Sequence, residues 1–399
     1  MTDFLPYGRH VVEDDDIAAV AAALRGELLT TGPAVAAFEA ALAKTVGASG
    51  AVSCSSGTAA LHLAALALGL GPGDWVVVPA ITFLATANAA RYVGAEVQFA
   101  DVDPDSGLMR PEDLEVALAA AKAAGRRVKA VFPVHLAGQA CDMEAIAAIA
   151  RREGGAVVED ACHALGTTYG NGAWRVGGCA HADMTVFSFH PVKTVAMGEG
   201  GAVTANDPAL AARLALLRSH GMVREPRDFI RRDLAFGPDG EVNPWFYEMA
   251  EPGFNYRASD LQCALGLSQL GKLDRFVAAR AAAVAAYDAR LAPLAPRLAS
   301  LARVPGCRPG WHLYISLIDF AAIGKDRGAV MRALRDRGIG TQVHYIPVAW
   351  QAYYRDRYGE TPLPGSARYY ERCLSLPLSA AITEADVQRV TAALAEVLA

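Results

Sequence analysis

The sequence ADMTVFSFHPVKTVAMGEGGAVT, residues 182–204, is the stretch from which the architecture and the chemistry of this chain are most readily predicted. An apolar run over residues 184–189 predicts a short buried strand, and Pro191 ends it because proline cannot donate to a β-ladder. Lys193 follows, and after it a glycine-rich segment, residues 198–201, allows a ligand or another backbone segment to come close. A lysine in this position suits Schiff-base chemistry, although a solvent-exposed loop lysine has the same pattern.

The overall composition is typical of a globular protein and excludes several classes of function. The chain has 399 residues, of which 53% are hydrophobic and 20% charged, and its length suggests two or three domains. The formal net charge of −5 does not favour nucleic-acid binding, and no stretch combines clustered basic residues with aromatic ones. The seven cysteines include no C-x-x-C pair, so we predict no metal site.

Neither a membrane span nor a secretory signal is predicted. The longest uncharged apolar stretch, residues 75–90, is shorter than the ~20 residues that a membrane helix needs. The amino terminus lacks a basic start followed by an apolar segment. We therefore predict a cytoplasmic protein with no membrane partner.

Short apolar strands alternate with alanine-rich helices from residue 50 onward, which predicts an α/β fold with a largely parallel sheet sandwiched by helices. The predicted strands are 51–54, 75–79, 96–100, 128–134, 156–159, 184–189 and 201–204. The predicted helices between them are 57–69, 83–93, 111–124, 142–153 and 207–219. Two further helices are predicted before this region, at 15–25 and 35–46.

Outside this alternating region the sequence indicates an N-terminal arm, a long connection and a second domain. We predict an N-terminal arm over residues 1–14, a large domain over 15–270, and a linking helix with a small C-terminal α+β domain over 271–399. In that last domain the expected elements are strands at 313–318 and 341–344, a helix at 328–337, and a final helix that Thr383 opens. Residues 220–255 predict a long connection without regular structure, either a lid or partner-contacting loop or a solvated excursion.

Four groups of residues with chemical potential follow predicted strands, and ligands gather at the carboxyl ends of strands in such sheets. Residues 53–58, SCSSGT, join a strand to a helix start, where free N–H groups favour a phosphate. Phe83, Asp160 and Lys193 follow three other strands. Each has a structural alternative. SCSSGT could be only a helix cap and Phe83 a core aromatic residue, whereas Asp160 could cap the end of a strand and Lys193 could be an exposed loop lysine. Together they match pyridoxal phosphate, which needs a phosphate cradle, a ring cover, a carboxylate at the ring nitrogen and a lysine for its aldehyde.

Several motifs resemble the DegT/DnrJ/EryC1/StrS family of sugar aminotransferases. They are SSGTAALHLA, ITFLATANA, VVEDACHALG, FSFHPVKTVAMGEGGAVTAND and GFNYRASDLQCALGLSQL, and they are spread over nearly the whole chain. The segments LPYGRH, LLTTGP, PVHLAGQACDM, GFNYRASD and GTQVHYIPV are similar more narrowly to the 4-aminotransferases of pseudaminic acid biosynthesis. The segment between the lysine and GEGG, residues 194–197, is less polar than in many relatives, which affects the expected substrate rather than the cofactor.

The resemblance implies the fold-type I architecture of pyridoxal phosphate enzymes and a homodimer whose active sites lie at the interface. It implies that Lys193 binds the cofactor aldehyde and moves the proton between substrate and cofactor, and that Asp160 pairs with the ring nitrogen. It further implies that His163 lies against the cofactor near its 3-oxygen and that Phe83 covers the ring. Gly57, Thr58 and Ser188 would hold the phosphate. Asn255 would reach the phosphate or nucleotide sugar of the neighbouring subunit. The implied sugar pocket consists of Tyr7, Leu29, Thr30, Asn255, His344 and Tyr345.

The reaction implied by this resemblance is transfer of the amine of L-glutamate to C4 of a UDP-linked 4-keto-6-deoxy-N-acetyl hexose. The product would be UDP-4-amino-4,6-dideoxy-N-acetyl-beta-L-altrosamine. An aminotransferase for another nucleotide 4-keto or 3-keto sugar would use the same cofactor residues. A sugar dehydratase of this family would carry histidine in place of Lys193, and a non-catalytic sugar-binding regulator would be expected to lack Lys193 or Asp160.

Overall fold

A seven-stranded sheet forms the centre of the computed structural model, which describes residues 4–399. The strands of the chain are β1 Gly50–Cys54, β2 Asp74–Pro79, β3 Glu96–Ala100, β4 Arg127–Val131, β5 Ala156–Asp160, β6 Thr168–Tyr169, β7 Trp174–Arg175, β8 Met184–Ser188, β9 Gly201–Ala205, β10 Met222–Val223, β11 Glu248–Met249, β12 Leu298–Ser300, β13 Tyr314–Ile318 and β14 Cys373–Leu376. The central sheet has the order β1-β9-β8-β5-β4-β2-β3, and within it only β9 runs antiparallel to its neighbours. The prediction of a largely parallel sheet is confirmed.

Helices cover both faces of this sheet, and polar residues begin several of them. The helices are α1 Asp14–Leu24, α2 Pro33–Val46, α3 Gly57–Ala67, α4 Leu84–Tyr92, α5 Pro111–Ala123, α6 Met143–Arg152, α7 Pro208–Arg218, α8 Arg232–Ala235, α9 Asp260–Leu270, α10 Leu273–Leu291, α11 Arg327–Asp336, α12 Ala352–Tyr358, α13 Pro364–Arg372 and α14 Glu384–Leu398. The side chains of Ser56, Asp142, Asp207 and Ser259 accept hydrogen bonds from the first turns of α3, α6, α7 and α9. These bonds fix the helix starts because the first N–H groups of a helix have no partner within it.

The apolar strands are buried on both faces, with successive side chains pointing to opposite sides. Val77 belongs to the core beneath α2, α5, α6 and α9, whereas Val76 and Val78 belong to the core beneath α3, α4 and α7. A third cluster unites α10, α11, α14 and strands β12–β14 with Leu5 from the N-terminal segment. The division of the chain at residues 14 and 270 remains a prediction.

Two predictions for irregular regions are wrong. Residues 341–344 do not form a strand, because only Gln342 pairs, as an isolated bridge to Ser375, before the chain turns into the cavity described below. Residues 220–255 do contain regular structure, since β10 and β11 pair with each other and α8 lies between them. This excursion also exposes Trp245, at 75% of its surface.

The described part of the chain contains neither a membrane-spanning helix nor a cluster of metal ligands. Within residues 4–399 no helix is both long and apolar enough to cross a membrane. The same residues contain no cluster of three or more histidine, cysteine, aspartate or glutamate side chains with the geometry of a metal site.

Candidate active site

A cavity of about 580 Å³ lies at the carboxyl ends of the parallel strands, between the central sheet and the C-terminal part of the chain. Its walls come from the ends of β5 and β8, from the start of α3, and from the segment 342–345. The predicted site residues that line it are Tyr7, Gly57, Thr58, Phe83, Asp160, His163, Ser188, Lys193, His344 and Tyr345. The fold therefore brings together residues that are up to 338 positions apart in the sequence, from Tyr7 to Tyr345.

An anion cradle is formed where β1 passes into α3. Gly57 and Thr58 occupy the first turn of α3, whose N–H groups and dipole favour a phosphate. Ser188, at the end of β8, lies directly against this turn, because a Cβ added to Gly57 would be 2.8 Å from the Cβ of Ser188. The close approach of the two segments requires glycine at position 57.

Substitution of Gly57 by alanine tests this cradle. Overpacking of this kind costs roughly 1–3 kcal/mol, so we expect the affinity for pyridoxal phosphate to fall by about 10- to 100-fold. Titration of the apoprotein with the cofactor measures the change. Gly71→Ala is the matched control, since a Cβ at Gly71 meets nothing closer than the carbonyl oxygen of Val93 at 4.0 Å. Equal affinities of the two variants would contradict the assignment of this turn as the cradle.

Asp160 presents a carboxylate at the carboxyl end of β5. Its Oδ2 accepts a hydrogen bond of 2.6 Å from Thr86 Oγ1, and its Oδ1 accepts one of 3.1 Å from the backbone N–H of Cys162. Thr86 itself is joined to Thr82 by a hydroxyl–hydroxyl hydrogen bond of 2.7 Å. These bonds hold the carboxylate in one orientation, as is needed to pair with the ring nitrogen of a cofactor.

Lys193 lies in the connection between β8 and β9. Its backbone N–H donates to the carbonyl of His190, and the neighbouring apolar residues Val195 and Met197 are buried in the core. Burial lowers the pKa of the Lys193 amine from its usual value, which favours the neutral, nucleophilic form. The low polarity of residues 194–197 thus has a packing role, because this segment anchors the lysine.

Three histidines and a tyrosine form the wall beside Lys193. The rings of His163 and His312 are 4.4 Å apart between centroids, and His344 Nδ1 is 2.7 Å from Ser375 Oγ. Burial holds the pKa of His163 and His312 well below the usual range and lowers that of His344 to about 3. Burial raises the pKa of Tyr345 well above its usual value. The wall is therefore uncharged near neutral pH.

The neutral state of His344 predicts a pH-dependent stability. The unfolded chain protonates this histidine below about pH 6.5, whereas the folded protein keeps it neutral down to about pH 3. The unfolded state then binds more protons, so stability falls as the pH decreases through this window, by about 2 kcal/mol at pH 5 for this one residue. Urea midpoints at pH 8 and pH 5 measure the loss.

His344→Gln should reduce this pH dependence, because glutamine does not titrate. His10→Gln, which changes an exposed histidine, is the control and should leave the pH dependence as in the wild type. A His344→Gln protein with an unchanged difference between pH 8 and pH 5 would contradict the prediction.

Some predicted site residues lie outside this cavity. Leu29 is exposed, Thr30 pairs with Ser259 at the start of α9, and Asn255 pairs with Ser219 at the end of α7. None of these three residues lines the cavity of the single chain. Phe83 does line the cavity, but 55% of its surface is exposed, which places its ring at the mouth.

Sequence reasoning missed three residues of this site. Thr86 holds Asp160, His312 lines the cavity, and Arg280 is buried and donates to the carbonyl of His312 at 3.2 Å. Burial lowers the pKa of Arg280 to about 10. The only available signal was that Thr86 lies within the motif ITFLATANA, whereas nothing in the sequence connects residues 280 and 312. By contrast, His135 is a buried core residue whose Nδ1 accepts a hydrogen bond from the backbone N–H of Cys141.

Comparison with known proteins decides the family. The family model described as the DegT/DnrJ/EryC1/StrS aminotransferase family matches residues 11–395. This chain belongs to the DegT/DnrJ/EryC1/StrS family. It is 38% identical over 398 residues to the spore coat polysaccharide biosynthesis protein SpsC of Bacillus subtilis (strain 168), covering 99% of this chain and 97% of that protein.

Solved structures of this family have the same fold. Helicobacter pylori PseC, an aminotransferase involved in the biosynthesis of pseudoaminic acid, superposes with a TM-score of 0.87 at 28% identity over 99% of both chains. The PLP form of the putative sugar aminotransferase Spr1654 from Streptococcus pneumoniae gives a TM-score of 0.87 at 26% identity over 99% of this chain and 98% of that chain. The protein is a sugar aminotransferase of the DegT/DnrJ/EryC1/StrS family, and it uses pyridoxal phosphate.

The residues present in the cavity fit this cofactor. One cavity is lined by the anion cradle at the start of α3, the oriented carboxylate of Asp160 and the Lys193 amine, whose pKa is lowered. The ring of Phe83 lines its mouth. These are the groups that hold the phosphate, the ring nitrogen, the aldehyde and the ring face.

Proposed function

We propose that this protein transfers the amine of L-glutamate to C4 of a UDP-linked 4-keto-6-deoxy-N-acetyl hexose. The product is UDP-4-amino-4,6-dideoxy-N-acetyl-beta-L-altrosamine, the 4-amino sugar of pseudaminic acid biosynthesis. The observation that carries the proposal is the single cavity in which Lys193, Asp160 and the α3 cradle meet. The similarity to PseC over the whole chain supports the choice of sugar.

We assign the following roles to the cofactor site. When bound, pyridoxal phosphate supplies an electron-accepting ring that can carry an amine between two substrates. Lys193 holds the cofactor aldehyde and moves a proton at the substrate carbon, and Asp160 keeps the ring nitrogen protonated. Gly57, Thr58 and Ser188 bind the phosphate. His163 contacts the cofactor near its 3-oxygen, and Phe83 covers the face of the ring.

We also propose that the active unit is a homodimer in the cytoplasm. Asn255 lies outside the cavity of its own chain, so it is available to reach the phosphate or nucleotide sugar in the partner's cavity. Leu29 and Thr30 would join the sugar pocket in the same way, whereas Tyr7, His344 and Tyr345 shape it from within the chain. A large domain over residues 15–270, a smaller part over 271–399 and the arm over 1–14 remain the proposed division.

A panel of substrates tests the proposed reaction. The purified protein with pyridoxal phosphate and L-glutamate is incubated with UDP- and dTDP-linked 4-keto and 3-keto sugars, and amino sugar and 2-oxoglutarate are quantified. We expect amination of the UDP-linked 4-keto-6-deoxy-N-acetyl hexose and formation of equal amounts of the two products. Amination of a 3-keto sugar alone would contradict the substrate assignment.

A second candidate is an aminotransferase for another nucleotide keto sugar of a surface polysaccharide. The similarity to SpsC, whose name connects it with spore coat polysaccharide, favours this candidate. The same panel distinguishes the two, because the cofactor residues would be identical and only the accepted sugar would differ.

A further inference from the structure

Arg280 is a fully buried arginine of α10 that lies behind Lys193. Only 1% of its surface is exposed, and Arg280 and Lys193 line the same small cavity of about 10 Å³. This small cavity is distinct from the main one, whose walls include Lys193 but not Arg280. Lys193 therefore has the substrate cavity on one side and a guanidinium group on the other.

The guanidinium of Arg280 carries its positive charge without a counter-ion. Its Nη1 donates to the carbonyl oxygen of His312 at 3.2 Å and to those of Trp311 and Leu378 at 3.5 Å each. Within residues 4–399 its Nε has no hydrogen-bond partner, and no carboxylate pairs with the group. Burial lowers the pKa of Arg280 only to about 10, so the group stays charged at neutral pH. The carbonyl oxygens thus hold the side chain in place but do not neutralise its charge.

The small cavity gives Arg280 no access to a substrate. An arginine near an active site commonly binds a carboxylate, but a space of about 10 Å³ has room for about one water molecule and none for a substrate carboxylate. Apolar side chains form part of its wall, those of Val11, Ala196, Phe276 and Ala380. A charge in such weakly polar surroundings acts strongly on a neighbouring group. Any effect of Arg280 on the reaction therefore passes through Lys193.

The charges on the two sides of Lys193 act in opposite directions. Burial lowers the pKa of its amine most, Cys162 and Asp160 in the main cavity raise it, and Arg280 lowers it again. The carboxylate in front of the lysine thus favours an ammonium group, and the guanidinium behind it favours a neutral amine.

The remaining titratable groups that line the two cavities contribute little charge. The wall imidazoles are neutral, and burial raises the pKa of the two tyrosines, Tyr7 and Tyr345, so that they stay neutral as well. The others are exposed, so that water and salt screen their charges; they are Arg9, His10, His190 and Glu199. Arg280 is therefore the buried charge that opposes Asp160.

We propose that Arg280 is a positioning residue that acts through Lys193, because its buried charge opposes that of Asp160 and keeps the lysine nitrogen free of a proton. This inference rests on the proposed function, since it names the residue that maintains the role assigned there to Lys193. Only the unprotonated nitrogen has the lone pair with which it can act as a nucleophile or a base.

The pH dependence of the visible absorption of the holoenzyme tests this effect of charge. The absorption of the bound cofactor depends on whether the Lys193 nitrogen attached to it carries a proton. Arg280→Met should move the midpoint of this titration to higher pH by roughly half a pH unit or more, because a like charge no longer disfavours the proton. Arg280→Lys keeps the charge and should keep the midpoint of the wild type.

Arg327→Met is the matched control. Arg327 is a partly buried arginine that also donates to backbone carbonyl oxygens, those of Tyr370 and Cys373, but it lines neither cavity. This variant should leave the midpoint unchanged. An unchanged midpoint in Arg280→Met would overturn the proposal. Equal shifts in Arg280→Met and Arg280→Lys would overturn it too, because altered packing and not the lost charge would then be the cause.

Nitrogen NMR of the wild-type holoenzyme with 15N-labelled arginine decides the question if Arg280→Met does not fold. The Nε–H resonance missing from Arg280→Lys is that of Arg280. We expect it to shift with the same midpoint as the visible absorption, because a proton on the Lys193 nitrogen changes the electric field at the guanidinium. A resonance that stays constant through this pH range would show that the two groups are not coupled, and the proposal would be wrong.

The outcomes separate this inference from the proposed function, because the midpoint is measured without any sugar. If the wild type aminates a keto sugar and Arg280→Met titrates at the wild-type midpoint, the proposed function stands and the inference fails. If the wild type aminates none of the sugars and Arg280→Met alone shifts the midpoint, the proposed function fails and the inference is supported.

Discussion

Lys193→Ala protein is expected to lose transamination by about 10⁴-fold or more, because in the proposed mechanism both covalent binding of the cofactor and proton transfer at the substrate carbon depend on this amine. The visible absorption that marks covalently bound pyridoxal phosphate should disappear at the same time. The measurements are the absorption spectrum after removal of free cofactor and the rate of amino-sugar formation.

The control for this change is Lys122→Ala. Lys122 is an exposed lysine in the last turn of α5, outside the cavity. We expect it to leave both the absorption and the rate unchanged. Retained absorption together with retained turnover in Lys193→Ala would mean that another group holds the cofactor.

Asp160→Asn is expected to reduce turnover by about 10²- to 10³-fold while leaving the cofactor bound. Asparagine keeps the size of the side chain and can still accept from Thr86 Oγ1, but it removes the negative charge that, in the proposed mechanism, stabilises a protonated ring nitrogen. Steady-state rates and the cofactor content of the purified variant measure the two effects. Thr86→Val, which preserves the charge and removes one hydrogen bond, should cost only about ten-fold.

Asp183→Asn is the matched control for the loss of a carboxylate charge. Asp183 accepts a backbone hydrogen bond from Val157 at the opposite end of the same strands. It should retain full turnover if folded. Turnover of Asp160→Asn near the wild-type level would show that Asp160 does not act on the cofactor ring.

The sequence predicted the sheet and its helices well because the signals are local. The apolar run at residues 75–79 and the polar residues at positions 56, 259 and 383 determine where a strand or helix lies, and the structure has them there. The strand predicted at 341–344 is absent because residues 342–344 line the cavity wall instead of pairing in a ladder. Its conformation depends on Ser375 and Tyr369, which the local sequence cannot indicate.

Some residues of the candidate site could also be predicted from local sequence, and others could not. Lys193 and Asp160 follow strands at positions where ligands bind in such sheets, so their meeting in one cavity was predictable. The role of Thr86 was not predictable, because its hydrogen bond to Asp160 joins residues 74 positions apart. A threonine in the interior of a helix gives no local sign of such a partner. His312 and Arg280 belong to the C-terminal part, whose packing against the cavity is set by tertiary contacts alone.

The antiparallel course of β9 has a consequence for Lys193. Because β9 returns beside β8, the connection that carries the lysine is short, and the N–H of Phe189 donates to Gly200 while the N–H of Met197 donates to Phe189. The backbone on either side of the amine is thus tied to the sheet. The side-chain torsions of Lys193 remain free to rotate, so in the proposed reaction the same amine can serve an amino acid and then a bulky sugar without remodelling the floor of the site.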